Sequence, residues 1–514
     1  MPSIDFSEPL LWAALAAPAL YLTWLHSASR SRLPLPPGPR QLPLVGNLFD
    51  MATRPWEACM GWSKKYGSDV IHVNLAGTHV IVLSSFEATE ALLEKRSSIY
   101  SDRPAFPMVN DLMGWSFNLP FMKYGDEWRI HRRLFNQQFN MVASSSFSGA
   151  QRTAAHSLLR RLLNNPAGFR DHLKQMAGEV IISVTYGINV QPADDPYVAL
   201  AEEAIKSLSY ARVPGRFIVD SIPILKYLPE WFPGGQFKRI AREGRSLSQA
   251  IRNVPFAETK RLMASGEATS CFTSKALRDL ESGGKHFQES TVKNVAAAMY
   301  AAGAHTTVSA LSTFILAMLA NPEAQRKAQL EIDSVVGRGN LPDFSDKQAM
   351  PYVAALIKEV LRWGNVLPFG VPHVLTVEDE YRGYRLPAGS VVIGHVWAIL
   401  HDELAYPDPH AFQPKRFLLD GKIDPGVRDP QSAFGFGRRI CPGRHMATES
   451  IWIAVVSILA MFDITKEIGE DGRPIEPSYK YEGGALFSPA PFGCIITPRS
   501  QDAVSVIQAT SNDV

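Results

Sequence analysis

Cysteine is scarce in this 514-residue chain: the four residues are Cys59, Cys271, Cys441 and Cys494, and no two of them are close in sequence. That spacing suggests neither a disulfide framework nor a Cys-x-x-Cys redox site, and it fits a reducing compartment. Net charge is nearly absent, at +2, and the basic residues are scattered. Without a basic tract interleaved with aromatics, no nucleic-acid partner is expected. No repeat with a period of about 20–50 residues is visible. No strand–Gly-x-Gly-x-x-Gly–helix unit occurs either, so the chain has no evident flavin or nicotinamide site of its own. What remains is 46% apolar and 20% charged, the composition of a globular protein with a large core. Length alone suggests more than one domain, but no linker divides the chain after about residue 50.

The first apolar run is Pro9 to Leu25, PLLWAALAAPALYLTWL. As a helix it would span about 26 Å, enough for a tilted or kinked bilayer crossing. Asp5 and Glu8 precede it, and Arg30, Arg32 and Arg40 follow. The positive-inside rule therefore keeps the bulk of the chain cytosolic. The positively charged n-region of a cleaved signal peptide is missing. Residues 1–32 thus read as an anchor with its flank. Residues 33–47, from Leu33-Pro-Leu-Pro-Pro-Gly-Pro39 to Leu42-Pro-Leu-Val-Gly-Asn47, read as a stiff proline-rich hinge. Residues 48–514 are left as one catalytic domain.

Periodicity and breaker residues make that domain mainly α with small β-sheets. Helices are expected around Trp128–Asn140, Thr291–Leu319, Pro322–Val336, Val353–Trp363 and Met446–Phe462. Asp69 to Leu83 reads as a β-hairpin about Ala-Gly, and Tyr384 to Ile393 as a second strand pair turning at Pro387-Ala-Gly389. Ile495 to Pro498 is expected to close a sheet edge.

The most specific run is Phe434-Gly-Phe-Gly-Arg-Arg-Ile-Cys-Pro-Gly443, directly before a helix-like stretch. Backbone N–H groups and the positive end of a helix dipole favour thiolate at Cys441. A lone free cysteine is otherwise most often a buried structural residue. Zinc is poorly served, since no second Cys stands nearby at ligand spacing. The spacing Phe-x-x-Gly-x-Arg-x-Cys-x-Gly resembles the haem loop of the cytochrome P450 family, with Phe434, Gly437, Arg439, Cys441 and Gly443 at its fixed positions. The resemblance implies the cytochrome P450 fold and haem b with Cys441 as axial thiolate. Phe434 would cover the proximal face, and Gly437 and Gly443 would let the backbone approach the sulfur. Arg439 would pair with a haem propionate.

Other segments extend the resemblance. Trp128-Arg-Ile-His-Arg132 puts two side chains on one helix face, and the family's pair there contacts a propionate, as does its counterpart of His373. Glu359-Val-Leu-Arg362 resembles the family's Glu-x-x-Arg. With Arg416 of Gln413-Pro-Lys-Arg-Phe417 it would form a buried, fully paired charge cluster holding the haem loop. Lys415 stands where the family more often has glutamate. The proline-rich run following an apolar anchor resembles the hinge of microsomal members. The anchored protein is accordingly expected in the endoplasmic reticulum membrane.

Ala302-Gly-Ala-His-Thr-Thr307 resembles the family's oxygen-activation segment. Gly303 would leave room for O2, and the Thr306 hydroxyl would direct protons towards O–O cleavage. The competing reading of Thr306 is a hydroxyl bonded back to its own helix. His305 replaces the family's usual acid, and it reads either as a proton carrier or as a packed polar residue. The implied chemistry is insertion of one oxygen atom of O2 into a C–H bond, and the electrons must come from another protein. The resemblance implies NADPH–cytochrome P450 reductase, docked on a basic surface including Arg438 and Arg444. By family position the pocket draws on Phe106 to Phe121, Met299, Leu367 to Val371 and Leu486-Phe487, which favours a lipophilic substrate. Asp111 is the one acid noted in the relevant loop. Phe217 to Phe237 reads either as a membrane-dipping segment or as a packed loop. In style the chain resembles fungal members acting in secondary metabolism. Terpenoid hydroxylation is the first expectation, and oxidation of an aromatic, indole or polyketide scaffold the second. A haem-thiolate isomerase or dehydratase would not need Thr306.

Overall fold

Apolar stripes and turn residues divide the chain into long helices joined by short strands. The computed structural model describes residues 33–51, 54–213, 215–283, 287–483 and 486–513. The expected anchor, Pro9 to Leu25, lies outside the described residues. The principal elements are β1 (Val70–Leu75), β2 (Thr78–Leu83), α1 (Asp126–Phe139), α2 (Ser148–Asn164), α3 (Phe169–Tyr186), α4 (Pro196–Ala211), α5 (Phe237–Ser265) and α6 (Glu289–Ala320). They continue with α7 (Pro322–Val336), α8 (Pro351–Trp363), β3 (His373–Val374), β4 (Asp379–Tyr381), β5 (Tyr384–Leu386), β6 (Val391–Gly394), α9 (Arg444–Met461), β7 (Phe462–Thr465) and β8 (Ile495–Pro498).

Helix α6 is apolar on every side because it runs through the core, packing against α3, α4, α5 and α9. Among the described residues it is the one helix apolar and long enough to cross a membrane, yet 67% of that stretch is buried inside the protein. Helix α9 is apolar all round for the same reason, with residues from Ile451 to Met461 shielded from water. Gly303 sets the distance between α6 and α3. A Cβ there would lie 2.7 Å from both Cγ1 and Cδ1 of Ile181.

The hairpin β1–β2 turns at Ala76 and Gly77, both at positive φ. It continues into a four-stranded sheet in the order β1-β2-β6-β3, with β2 and β6 parallel. The strand pair expected across Tyr384 to Ile393 is corrected. β5 pairs with β4, β6 pairs with β2 and β3, and the turn at Pro387–Gly389 passes the chain from one sheet to another. Sheet partners are chosen here by burial of Val392 and Ile393 against the hairpin rather than by sequence proximity. β8 closes an edge on β7.

The proline-rich segment lies along the hairpin. The Pro37 carbonyl accepts from His72 N–H at 2.9 Å, and the Pro34 carbonyl accepts from Arg385 N–H at 2.8 Å. Gly38 sits so close to the His72 carbonyl that a Cβ would be 1.8 Å from its oxygen.

Candidate active site

Helix α1 opens with Asp126 and Glu127 at its positive end, and its i, i+4 face presents Trp128 and Arg132 to an interior cavity. Cys441, Phe434, Arg439 and Gly443 reach the same cavity from the loop before α9, His373 from β3, and Gly303 and Thr306 from α6. The separated motifs thus meet around one space.

Cys441 is partly accessible, whereas Cys59, Cys271 and Cys494 are buried, and all four are free thiols. Its N–H donates to the Phe434 carbonyl at 2.8 Å, closing the loop on itself. Burial pushes the thiol above its ordinary pKa, opposed by the Gly443 N–H and by the charges of Arg132 and Arg444. The local electrostatics therefore favour thiolate as expected, but desolvation outweighs them in the protein alone. The two loop glycines serve different ends. Gly437, at φ +53°, has no room for a Cβ, which would lie 2.0 Å from the Leu93 carbonyl oxygen. Gly443 has an ordinary φ and open space, and it acts through its N–H.

The cavity's edge is cationic. Arg439 is buried, donating to the carbonyls of Ser101 (2.7 Å), Met122 (2.8 Å) and Leu119 (3.3 Å), with its guanidinium 4.4 Å from the Trp128 ring centroid. Burial lowers the pKa of Arg132 to about 10, and among the described residues its guanidinium has no hydrogen-bond acceptor. His373 is buried, its Nδ1 2.7 Å from the Tyr100 carbonyl, and burial with the charge of Arg103 keeps the ring neutral. Arg103, absent from the sequence-based set, is 4% exposed and donates to the carbonyls of Val371 and Pro372 at 2.6 and 2.7 Å. Its Nε has no partner. Nothing local in the sequence marks Arg103, because its acceptors lie more than 260 residues away.

Three guanidiniums facing a cavity without carboxylate partners form a site for an anionic group. Together with the cysteine and the aromatic walls, they fit haem b, whose two propionates carry the complementary charge. Trp128, Arg132, His373, Arg439 and Arg103 could hold the propionates, and Cys441 could ligate the iron.

Helix α6 is continuous through Ala302–Thr307, with no local opening. The Thr306 hydroxyl donates to the Ala302 carbonyl at 3.0 Å, the back-bonded arrangement. His305 is half-buried, and burial lowers its pKa, offset by Glu202 and reinforced by Lys174. Lys174 and Glu202 themselves pair at 2.9 Å. Gly303 lines the cavity, but its missing side chain is first required by Ile181.

Glu359 and Arg362 are fully buried and paired through two bonds of 2.7 and 2.8 Å. Arg416 reaches the same carboxylate at 3.2 Å, and Gln413 N–H donates to it at 2.8 Å. The other bonds of this cluster run to Leu400, Pro407, Asp408 and Ala411, so it fastens the 400–416 segment directly. The loop carrying Cys441 is held by its own contacts with Leu93, Ser101 and Met122. Lys415 is exposed, outside the cluster.

Of the expected pocket residues, Leu119, Pro120, Met299, Leu367, Phe369 and Val371 line the cavity. Leu486 and Phe487 do not line it; Phe487 packs edge-on against Trp56 at 4.5 Å. Met176, Val180 and Ile181 of α3 take part instead. They were missed because their apolar stripe reads as ordinary helix core. Asp111 is ion-paired with Lys226 at 2.7 Å.

The family model described as cytochrome P450 matches residues 36–492. A cytochrome P450 monooxygenase of Postia placenta is 47% identical, over 95% of this chain and 94% of its own length. A cytochrome P450 monooxygenase of Armillaria gallica is 44% identical over 97% and 98%. The tryptamine 4-monooxygenase of Psilocybe cyanescens is 39% identical over 97% and 99%.

Proposed function

The chain belongs to the cytochrome P450 family, oxidoreductases whose haem is held by a cysteine thiolate, and on that premise we propose that it hydroxylates a C–H bond of a lipophilic terpenoid in fungal secondary metabolism. The observation that carries this reading is the shared cavity of Cys441, the unpaired arginines and Thr306, walled by Met176, Val180, Ile181 and Met299. Such aliphatic walls gain from burying a hydrocarbon body and offer little to a polar one.

Haem bound here would supply the activation of O2. This chain's residues would hold and orient it: Cys441 as its thiolate ligand, Phe434 as a cover beside the cysteine, and Arg132, Arg439, Trp128 and His373, joined by Arg103, at its propionates. Gly437 allows the loop its close approach, and the Gly443 N–H tunes the sulfur. Thr306 holds a proton at its Oγ1, now shared with the Ala302 carbonyl, and exchanging that acceptor directs the proton into the cavity. His305, neutral and one residue away, is the candidate to restore it from the Lys174–Glu202 surface.

The electrons come from a redox partner, for which we propose NADPH–cytochrome P450 reductase. Arg438 and Arg444, with Lys123 next to the Tyr124 that bonds Arg438, offer it a basic docking face. We place the protein at the endoplasmic reticulum membrane, anchored within residues 1–32. The second reading, oxidation of an indole or other aromatic scaffold, draws on the tryptamine 4-monooxygenase relative. For a protonated amine, however, the Asp111 carboxylate is already taken by Lys226.

Co-expression with the reductase and a panel of terpenoid and indole precursors tests the proposal. The reduced, CO-treated protein should give the band of thiolate-ligated haem, and a terpenoid should be converted to its alcohol with NADPH consumed. Loss of the band would end the haem–thiolate reading; turnover of indoles alone would move the substrate to the second reading.

A further inference from the structure

Beyond Trp363 the chain leaves α8 and is pressed at once against α6. Gly364 has no room for a Cβ, which would lie 2.2 Å from Thr313 Cγ2. The Val366 carbonyl accepts from Phe487 N–H at 2.9 Å, and the Phe487 carbonyl accepts in turn from the Ser309 hydroxyl of α6. Between these two fastenings Asn365 lines the cavity. It is 2% exposed, and its Oδ1 accepts from Leu367 N–H at 3.0 Å. That bond identifies the oxygen, so the other arm of the amide is the NH2 group. Among the described residues, nothing accepts a hydrogen bond from Nδ2.

The other polar groups of the cavity are engaged or assigned. Arg103, Arg439 and His373 are bonded to backbone carbonyls, and Thr306 to Ala302. The Ser450 hydroxyl accepts from Gln151 Nε2 at 2.8 Å. Arg132 is left for a propionate. Thr307, next along α6, is buried and lines the cavity, and among the described residues its hydroxyl has no hydrogen-bond partner. Asn365 and Thr307 thus bring two unmatched donors to one cavity from segments fastened to each other. Haem would not match them. Its hydrogen-bonding groups are the propionates, which the arginines take, and the rest of its edge is hydrocarbon.

A buried site with free donors disfavours a purely hydrocarbon ligand and favours one that brings an acceptor. We propose that Asn365 and Thr307 together hold a carbonyl oxygen of the substrate, so that the molecule oxidised is an apolar body already bearing a ketone or similar group. A carbonyl oxygen has two lone pairs, one for each donor. This deepens the monooxygenase reading and rests on it. The aliphatic walls bury the body, and the two donors set its orientation. A terpene hydrocarbon carries no oxygen, so an earlier oxidation must supply such a substrate.

Equilibrium dialysis of the haem-loaded protein with menthone and with p-menthane, the same skeleton without the oxygen, tests the assignment. Asn365→Ser removes the NH2 group, while a serine hydroxyl can still accept from the N–H two residues on. It should weaken menthone about fivefold or more, the size of one neutral hydrogen bond. Thr307→Val, of the same shape, should weaken it about threefold. Both variants should bind p-menthane within about twofold of the wild type. Undiminished menthone binding in Asn365→Ser, or no menthone binding by the wild type, would overturn the proposal. So would an equal loss of both ligands, which would mean that Asn365 serves the loop alone. A missing CO band would strike the monooxygenase reading instead, and the dependence of menthone on Asn365 remains readable by dialysis in either case.

Discussion

Glu359 has no exposed side-chain surface, and two guanidiniums and one backbone N–H share its carboxylate. Its value lies in neutralising charges that cannot reach water. Glu359→Gln keeps the shape but leaves Arg362 and Arg416 buried without their counter-charge. The expected cost is about 3–5 kcal/mol, read as a lower denaturant midpoint and poor haem retention. A change below about 1 kcal/mol would mean that the backbone carbonyls around Arg362 suffice. This cluster was legible in the sequence because Glu-x-x-Arg places both groups on one helical face. Arg103 was not legible: its meaning depends on which carbonyls surround it, and those come from remote segments.

At the scale of elements, the contact between α3 and α6 depends on the one position where α6 has no side chain. Gly303→Ala would push a methyl group against Ile181, forcing the helices apart or the isoleucine off its rotamer, at a cost of about 1–3 kcal/mol. Ile181→Val removes one of the two crowded atoms, so the double variant should recover part of the loss. A double-mutant cycle of thermal midpoints reads the coupling, and strict additivity would refute the close contact. The helices themselves followed from periodicity and turn residues. Strand pairing did not follow so far: β5 and β6 are adjacent in sequence and part company because each is buried against a different neighbour.

At the scale of the whole molecule, one face is unusually apolar. Leu44 is 96% exposed and Trp231 82%, with Phe49, Ile218, Ile224 and Tyr227 also exposed. A Cβ at Gly215 would lie 3.8 Å from Leu48, so the 42–49 and 215–232 segments form one surface. Patches of this kind mark interaction sites, and aromatic and aliphatic side chains at an interface gain by entering lipid. Residues 33–514 alone should therefore still co-sediment with phosphatidylcholine vesicles. Leu44→Ser with Trp231→Ser should weaken that binding about tenfold or more. Binding that vanishes with residues 1–32, or survives both substitutions, would leave the patch without a membrane role.

The sequence by itself placed a cysteine in a glycine-marked loop, a Glu-x-x-Arg pair on one helix face and a threonine on a small-residue helix, and the resemblance of these motifs to the cytochrome P450 family implied the chemistry. Local spacing is enough to place them because the residues within each motif lie only a turn or two apart. Only the tertiary structure decided that these motifs face one cavity and that its rim is lined by arginines without acids. Those properties depend on desolvation and on long-range partners, which arise when segments hundreds of residues apart exclude water together.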